Sequence, residues 1–232
     1  MVLSNTVELI IHSFLSIFKF NQGFIEIVYL SLCVSLAATI LSAIVSIMIS
    51  SQMAIKNFFG KGLLIIIVNS FMSIPPVVVG LILYLVFSAS GYFGFLDLLY
   101  SPEIMIIAQF IIVTPIIISL SLKSLSDQYE RLKDYLRTLK CNSKMIRNTI
   151  IYESRYDLLI IVITGLSRAL SEVGAVIIVG GNIDNLTRVM TTSIVLETSR
   201  GELSLALSLG ISLIIIALVM NLLIMLIRKK IL

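Results

Sequence analysis

Residues 131–153 read RLKDYLRTLKCNSKMIRNTIIYE and form the one long polar insertion in a sequence that is otherwise strongly apolar. The apolar residues of its first half recur at the i, i+3, i+4, i+7 spacing of one helical face, namely Leu132, Tyr135, Leu136 and Leu139. Asn142 and Ser143 follow as turn or N-cap residues. A second periodic set leads toward the next apolar segment, with members Met145, Ile146, Thr149 and Ile150. The insertion therefore predicts a short amphipathic helix, a turn and a second helix that continues into the next span.

The apolar stripe of the first helix has two open interpretations. In the first, it packs against the ends of this protein's own spans or lies on lipid headgroups with its charged residues outward. In the second, part of the stripe inserts into a groove on a soluble partner. The residue pattern alone favours neither.

The composition indicates an integral membrane protein. Of the 232 residues, 58% are hydrophobic and 13% are charged, and the mean hydropathy is +1.08; these values lie far outside the range of soluble domains. Five apolar runs are long enough to cross a bilayer, at about 24–50, 62–87, 104–122, 158–180 and 203–227. We therefore predict an all-α, polytopic protein with one transmembrane domain over residues 1–232 and a polar region at about 123–157. Such a chain has no room for a soluble catalytic domain, so any energy source is another chain.

The N-terminal segment 7–20 mixes apolar residues with Glu8, His12 and Lys19. This pattern favours a helix lying in the interface, and a tilted crossing is the alternative. Segment 181–202 is rich in polar residues and is predicted to be an external loop.

Two intramembrane features are candidates for a functional role. The second span carries a cluster of polar groups and helix breakers, Asn69, Ser70, Ser73, Pro75 and Pro76. Because two prolines remove two backbone donors, they predict a kink that either lines a pathway or serves packing. The fourth span carries Arg168 and Glu172, whose spacing of four residues puts them on one helical face. We expect an ion pair there, either as a clamp between helices or as part of a gate.

The basic residues predict the orientation of the chain. With region 123–157 inside, thirteen Lys and Arg residues lie on the cytoplasmic side and three lie outside, while Arg168 is in the membrane. The positive-inside rule then places the N-terminus outside and the C-terminus in the cytoplasm of a cell inner or plasma membrane. The net charge of +4 is explained by this orientation signal, and we expect no nucleic-acid partner.

Several classes of chemistry find no support in the sequence. There is no Gly-x-x-x-x-Gly-Lys-Ser/Thr phosphate loop and no Ser/His/Asp or Cys/His arrangement, and His12 is the single histidine. Cys33 and Cys141 lie in a span and in the polar insertion, without metal-ligand spacing. We therefore expect no catalytic residue, metal or cofactor on this chain.

The polar insertion resembles the cytoplasmic coupling motif of ABC-importer permeases, Glu-Ala-Ala, three residues, Gly, nine residues, Ile-x-Leu-Pro. Asp134, Tyr135 and Leu136 stand for its triplet, Lys140 for the glycine and Ile150 for the isoleucine. Tyr152 and Glu153 stand where the motif has leucine and proline. The resemblance implies that one set of residues couples this chain to a partner ATPase subunit, namely Leu132, Asp134, Tyr135, Leu136, Leu139, Lys140 and Cys141.

A longer resemblance covers the chain from the second span to the fifth. Residues 73–80 read SIPPVVVG, residues 187–192 read TRVMTT and residues 196–198 read LET, and together with Gly91–Gly94 and Gly165–Asn182 they are similar to permease subunits of tungstate-type ABC importers. This resemblance implies the type I importer permease fold, a homodimer of permeases, two cytoplasmic ATPase subunits and an external solute-binding protein that delivers an oxyanion. Tungstate is the expected substrate, with molybdate or sulfate as alternatives.

Two other classes of function stay open at this point. An ion-coupled secondary transporter would need acidic residues at mid-membrane, and Glu172 is the one that qualifies. A non-transporting scaffold of a membrane complex is the other. Both classes would lack a stoichiometric ATPase partner.

Overall fold

The computed structural model describes residues 22–229, which form nine α-helices and one short 3-10 helix without a strand. The α-helices are α1 (Gln22–Ile55), α2 (Lys61–Met72), α3 (Pro76–Phe87), α4 (Pro102–Thr138), α5 (Ser143–Glu153), α6 (Arg155–Leu170), α7 (Gly174–Gly180), α8 (Met190–Arg200) and α9 (Leu203–Lys229). The predicted all-α class is confirmed. The N-terminal segment 7–20 and His12 lie outside the described residues.

Three helices, α1, α4 and α9, are long and apolar enough to cross a membrane as single elements. They contain the predicted spans 24–50, 104–122 and 203–227. Two further helix pairs are together long and apolar enough but bend at a short break, by 94° between α2 and α3 and by 57° between α6 and α7, as a broken span or a re-entrant loop does. The predicted spans 62–87 and 158–180 are therefore not continuous helices, and counting each bent pair as one span gives five.

The centre of the bundle is the contact between α1 and α4. A row of small residues on α1, among them Ala38, Ser42 and Ser46, is fully buried. The Ser42 hydroxyl donates to the Phe110 carbonyl at 3.3 Å, and the Ser46 hydroxyl donates to the Thr114 carbonyl at 3.2 Å. Because small side chains let two helix backbones approach closely, this face holds the chain's own fold together.

Helix α4 is longer than the sequence pattern predicted. The third span and the first half of the polar insertion form one helix of 37 residues, about 56 Å long. The prediction of a separate short helix at 132–141 is therefore wrong. The physical reason is that residues 116–138 contain neither glycine nor proline, so nothing interrupts the backbone hydrogen bonding between the membrane and the turn.

The prediction of an external loop at 181–202 is also wrong for its second half. Helix α8 begins at Met190, and Met190 and Thr192 are fully buried. The Thr192 hydroxyl accepts from the Val189 N–H at 3.2 Å and donates to the Asn182 side chain at 2.8 Å. The polar residues of this segment thus satisfy one another inside the fold, which composition alone did not reveal.

Candidate functional site

The first break separates α2 from α3 at the two prolines. Helix α2 ends at Met72, Pro75 is the N-cap of α3, and Pro76 is its first residue. The Ile74 N–H donates to the Phe71 carbonyl at 3.3 Å, because Pro75 has no N–H to offer that acceptor. The kink predicted from the prolines is present as a full break of 94°.

The polar residues near this break lie at the surface of the described chain. Asn69, Ser70, Ser73 and Pro75 are exposed, and Pro76 is half-buried. The Asn69 side-chain oxygen accepts from the Ser119 hydroxyl of α4 at 2.9 Å, whereas the Ser70 hydroxyl donates to its own helix at the Ile66 carbonyl. Asn69 therefore reaches across to α4 and Ser70 does not.

Asn69 lines a cavity of about 410 Å³ between α1, α2 and α4. Lys123 and Asp127 line the same cavity and also a larger groove of about 550 Å³, whose walls include Arg131 and Arg228. The cavity beside Asn69 and the charged groove along α4 therefore share part of their walls. Ser119, Lys123 and Asp127 were not among the predicted pathway residues, since their position on one side of α4 became informative only when α2 packed beside it.

The second break separates α6 from α7 and is held by the buried side chain of Glu172, which is 3% exposed. Its carboxylate accepts from Arg168 Nη1 at 2.9 Å and from the Ala175 N–H at 3.4 Å. The Thr191 hydroxyl donates to the Glu172 carbonyl at 2.8 Å. Arg168 and Glu172 do form an ion pair, but Glu172 lies beyond the end of α6, so the prediction of one continuous helical face is wrong. The carboxylate instead helps to start the next helix.

Gln109 of α4 ties the second break to the centre of the bundle. Its side-chain N–H donates to the Ala169 carbonyl at 3.1 Å, and the Glu172 N–H donates to the same carbonyl at 3.1 Å. The Gln109 side-chain oxygen is buried without a partner among the described residues. A polar amide inside an apolar run was the sequence signal for this contact, although it did not reveal the partner.

The two breaks lie next to each other. A Cβ added to Gly80 of α3 would lie 2.8 Å from the Ala175 Cα of α7, so these two helices are in backbone contact. Arg168, whose side chain is 38% exposed, lines a cavity of about 210 Å³ together with Phe71 and Ile74 of the first break. The cation of one break therefore faces the apolar residues of the other.

The turn between α4 and α5 stands where the coupling motif was predicted. The Lys140 N–H donates to the Arg137 carbonyl and the Cys141 N–H to the Leu136 carbonyl, which is the hydrogen-bond pattern of a Schellman motif. Lys140 has a φ of 49°, in the left-handed region that glycine adopts most easily. The Asn142 side chain accepts from the Met145 N–H at 2.8 Å and caps α5, as predicted.

The predicted coupling stripe divides into a buried and an exposed part. Leu136 is 4% exposed, whereas Tyr135 is 66% and Leu139 is 56% exposed. Leu132 and Cys141 are half-buried, and Asp134 and Lys140 are exposed. Leu136 therefore supports the fold of this chain, and Tyr135 and Leu139 are the apolar residues free to meet another surface.

Comparison with known proteins identifies the family. No protein-family model matches the chain. It is 39% identical over 203 residues to the tungstate uptake system permease protein TupB of Peptoclostridium acidaminophilum, which covers 88% of this chain and 89% of the relative. It is 36% identical over 202 residues to a probable anion ABC transporter permease protein of Haloferax volcanii, covering 85% and 87%. It is also 36% identical over 156 residues to TupB of Campylobacter jejuni, covering 67% and 65%. With these identities and three to five apolar crossings, the chain is a multi-pass membrane protein that belongs to the family of ABC-transporter permeases that includes the tungstate uptake permeases.

Proposed function

We propose that the chain is the permease subunit of an ABC importer and that it forms the translocation pathway for tungstate. The observation that carries the proposal is the 39% identity to a tungstate uptake permease over 88% of the chain. Molybdate and sulfate are the alternative substrates, because they are dianions of similar shape. The choice among the three falls mainly to the external binding protein.

The transporter is proposed to contain two copies of this chain, cytoplasmic ATPase subunits and an external solute-binding protein. ATP hydrolysis belongs to the ATPase subunits. The end of α4, with Tyr135 and Leu139 exposed, is proposed as the surface that inserts into a groove of the ATPase. The predicted excess of Lys and Arg on that side supports a cytoplasmic location for this end and for the C-terminus, with the N-terminus outside.

Helix α4 is proposed to carry the motion from the ATPase to the membrane. It is one helix from Pro102 to Thr138, and it holds a side-chain hydrogen bond to each broken span, Ser119 to Asn69 and Gln109 to the Ala169 carbonyl. A push on its cytoplasmic end therefore acts on both breaks together. Rigid-body movement of this kind, around a site made by interrupted helices, is how alternating access is achieved in many transporters.

The proposed pathway passes the first break. Asn69, Ser70 and Ser73 offer amide and hydroxyl dipoles that replace part of the anion's water shell without holding it as tightly as a free cation would. Arg168 stands close by, but Glu172 neutralises its charge at 2.9 Å. The uncharged groups at the break give the anion a weak binding site. The charged groove along α4 then gives it a polar exit.

Cysteine accessibility tests this pathway. In a chain from which Cys33 and Cys141 have been removed, single cysteines at Asn69, Ser70 and Ser73 are expected to react with a small polar thiol reagent. Their reactivity from the outside and from the inside should change in opposite directions when ATP is trapped. A cysteine at Ser46, which is fully buried between α1 and α4, is the matched control and should stay unreactive. If the three pathway positions are unreactive in every nucleotide state of a transporting complex, the break serves packing and the anion passes elsewhere.

A further inference from the structure

A small basic pocket lies between the end of α1 and the start of α5. Its volume is about 310 Å³, and it is lined by Gln52, Ile55, Lys56, Ser143, Lys144 and Arg147. Three of these six residues are cations and none is an acid. Among the described residues, Lys56, Lys144 and Arg147 are absent from every ion pair. The pocket therefore presents three uncompensated positive charges.

The charged groove along α4 is different in this respect. There Lys123, Arg131 and Arg228 share the walls with Asp127 and Asp157. Positive and negative charges are nearly balanced, so that groove is not selective for an anion by charge alone. The small pocket combines a positive charge with enough space for a phosphate group.

The pocket lies where two apolar helix segments end, which is where lipid headgroups are expected. Helix α1 is apolar up to Ile49, and α2 becomes apolar again at Leu63, so the turn between them is bracketed by two membrane segments. Phe58 is 44% exposed in this turn and Phe59 is completely exposed. In segments that lie at the membrane interface, phenylalanine rings enter the acyl boundary while lysine ammonium groups stay near phosphate.

We propose that this pocket binds the phosphate headgroup of an anionic phospholipid in the adjacent leaflet. Arg147 and the two lysines would donate to the phosphate oxygens, and Gln52 and Ser143 offer polar groups to the rest of the headgroup. The N-terminus of α5, capped by Asn142, adds its partial positive charge. Ile55 and the exposed Phe58 give the acyl chains an apolar surface beside the cations.

A lipid explains the pocket better than a protein partner does. Lys144 and Arg147 lie one turn apart on α5, whereas the exposed apolar residues of the same helix, Met145 and Tyr152, lie on a different face. The apolar face suits a soluble partner, and the basic face is turned toward the end of α1. The inference does not rest on the proposed transport function, because lipid binding is measurable without substrate.

Native mass spectrometry of the full-length chain, purified in detergent and exposed to phosphatidylglycerol or phosphatidylcholine, tests the proposal. The native sequence is expected to retain phosphatidylglycerol preferentially. In the double variant Lys144→Gln/Arg147→Gln, the ratio of bound phosphatidylglycerol to bound phosphatidylcholine should fall about fivefold for each cation removed. The matched control Lys133→Gln/Lys140→Gln removes the same charge on the same side of the membrane but outside the pocket, and should keep the preference. Arg147→Lys, which preserves the charge, should keep most of it.

Three results would overturn the assignment. Equal loss in the double variant and in the control would mean that net charge alone attracts the lipid. Protection of the native chain against thermal unfolding by inorganic phosphate, in the absence of phosphatidylglycerol and lost in the double variant, would make the pocket a site for free phosphate. Full lipid preference in the double variant, together with loss of a co-purifying ATPase, would make it a contact for that subunit.

Discussion

Two prolines lie at the break between α2 and α3, Pro75 within it and Pro76 as the first residue of α3, whereas the break between α6 and α7 has none. The first bends the chain by 94° and the second by 57°. At the first break the backbone itself lacks two hydrogen-bond donors, and the nearby polar side chains are exposed. At the second, Glu172 bonds to Arg168 and Ala175, and Gln109 of α4 bonds to the Ala169 carbonyl. The first interruption follows from the local backbone, whereas the second depends on the side chains of Glu172, Arg168 and Gln109.

The difference matters for the membrane because an interrupted helix leaves polar backbone groups without partners, and lipid cannot supply them. At the second break, side chains inside the protein bond to the Ala169 and Glu172 carbonyls, which ties it to the bundle. At the first break, the Ser73 and Ile74 N–H groups bond to carbonyls of their own helix, and the polar side chains lie at the surface of the chain. A surface that is polar, interrupted and exposed is what the proposed pathway requires.

The largest expected effect comes from removing the cation of the second break. Arg168→Met leaves the buried Glu172 carboxylate without its counter-charge, and we expect a loss of about 3 kcal/mol in the free energy of unfolding. Adding Glu172→Gln to this variant should recover more than half of the loss, because the amide still accepts from the Ala175 N–H and no charge remains. Unfolding of the four chains of the double-mutant cycle in mixed detergent micelles measures the coupling. Strictly additive losses would mean that Arg168 and Glu172 act separately.

The contact between the two breaks gives the next largest effect. In Gly80→Ala the new Cβ would lie 2.8 Å from the Ala175 Cα and 3.0 Å from its carbonyl oxygen. Because backbone atoms cannot move aside as a side chain can, we expect a loss of about 2 kcal/mol in the free energy of unfolding. Gly210→Ala in α9 is the control, since nothing lies within 4 Å of its added Cβ, and it should gain about 0.5 kcal/mol from helix propensity. Equal effects at the two glycines would show that α3 and α7 do not pack this closely.

The two breaks also differ in how well the sequence predicts them. The helical class, the apolar crossings and the first break follow from local signals, namely apolar runs and the prolines at 75 and 76. The second break has no local signal of that strength. Ser171, Glu172 and Val173 are all compatible with a helix, and the chain leaves the helix there because Glu172, Gln109 and Thr191 find better partners in the folded bundle.

The coupling region shows the same limit. The spacing of Leu132, Tyr135, Leu136 and Leu139 correctly indicates a helix, but it does not tell which of these residues the protein covers by itself. Leu136 is buried and Leu139 is exposed because α4 continues from the membrane and fixes the rotation of the stripe. Periodicity defines a face, and only the packing of the neighbouring helices decides its partner.

A smaller effect is expected when a proline is removed from the first break. Pro76 is the first residue of α3, as Pro102 is the first residue of α4. Alanine adopts the same helical conformation, so Pro76→Ala and Pro102→Ala should each lose no more than about 1 kcal/mol, through the greater entropy of the unfolded chain. Unfolding in mixed micelles and amide hydrogen exchange at residues 73, 74, 77 and 78 measure the outcome. A gain in stability for Pro76→Ala alone, with new protection at residues 73 and 74, would show that this proline by itself keeps the span broken.

The smallest effect concerns the third change of direction, the turn after α4, which relies on neither proline nor a buried side chain. Here a non-glycine residue, Lys140, adopts a φ of 49°, and the Schellman hydrogen bonds of Lys140 and Cys141 close the helix. A side chain with a Cβ is strained in this region, so Lys140→Gly should raise the free energy of unfolding by about 0.5 kcal/mol, the relief of strain exceeding the entropy cost of glycine.

Lys140→Ala is the matched control, because it removes the same charge and keeps the Cβ, and we expect no gain from it. The two variants are compared by their unfolding midpoints in the same detergent. If glycine stabilises and alanine does not, the turn is held by backbone conformation. The glycine of the coupling motif and the lysine of this chain would then adopt the same left-handed conformation, with more strain for the lysine. Equal behaviour of glycine and alanine would instead assign any change to the lost charge of Lys140, and the turn would then depend on side-chain interactions as the second break does.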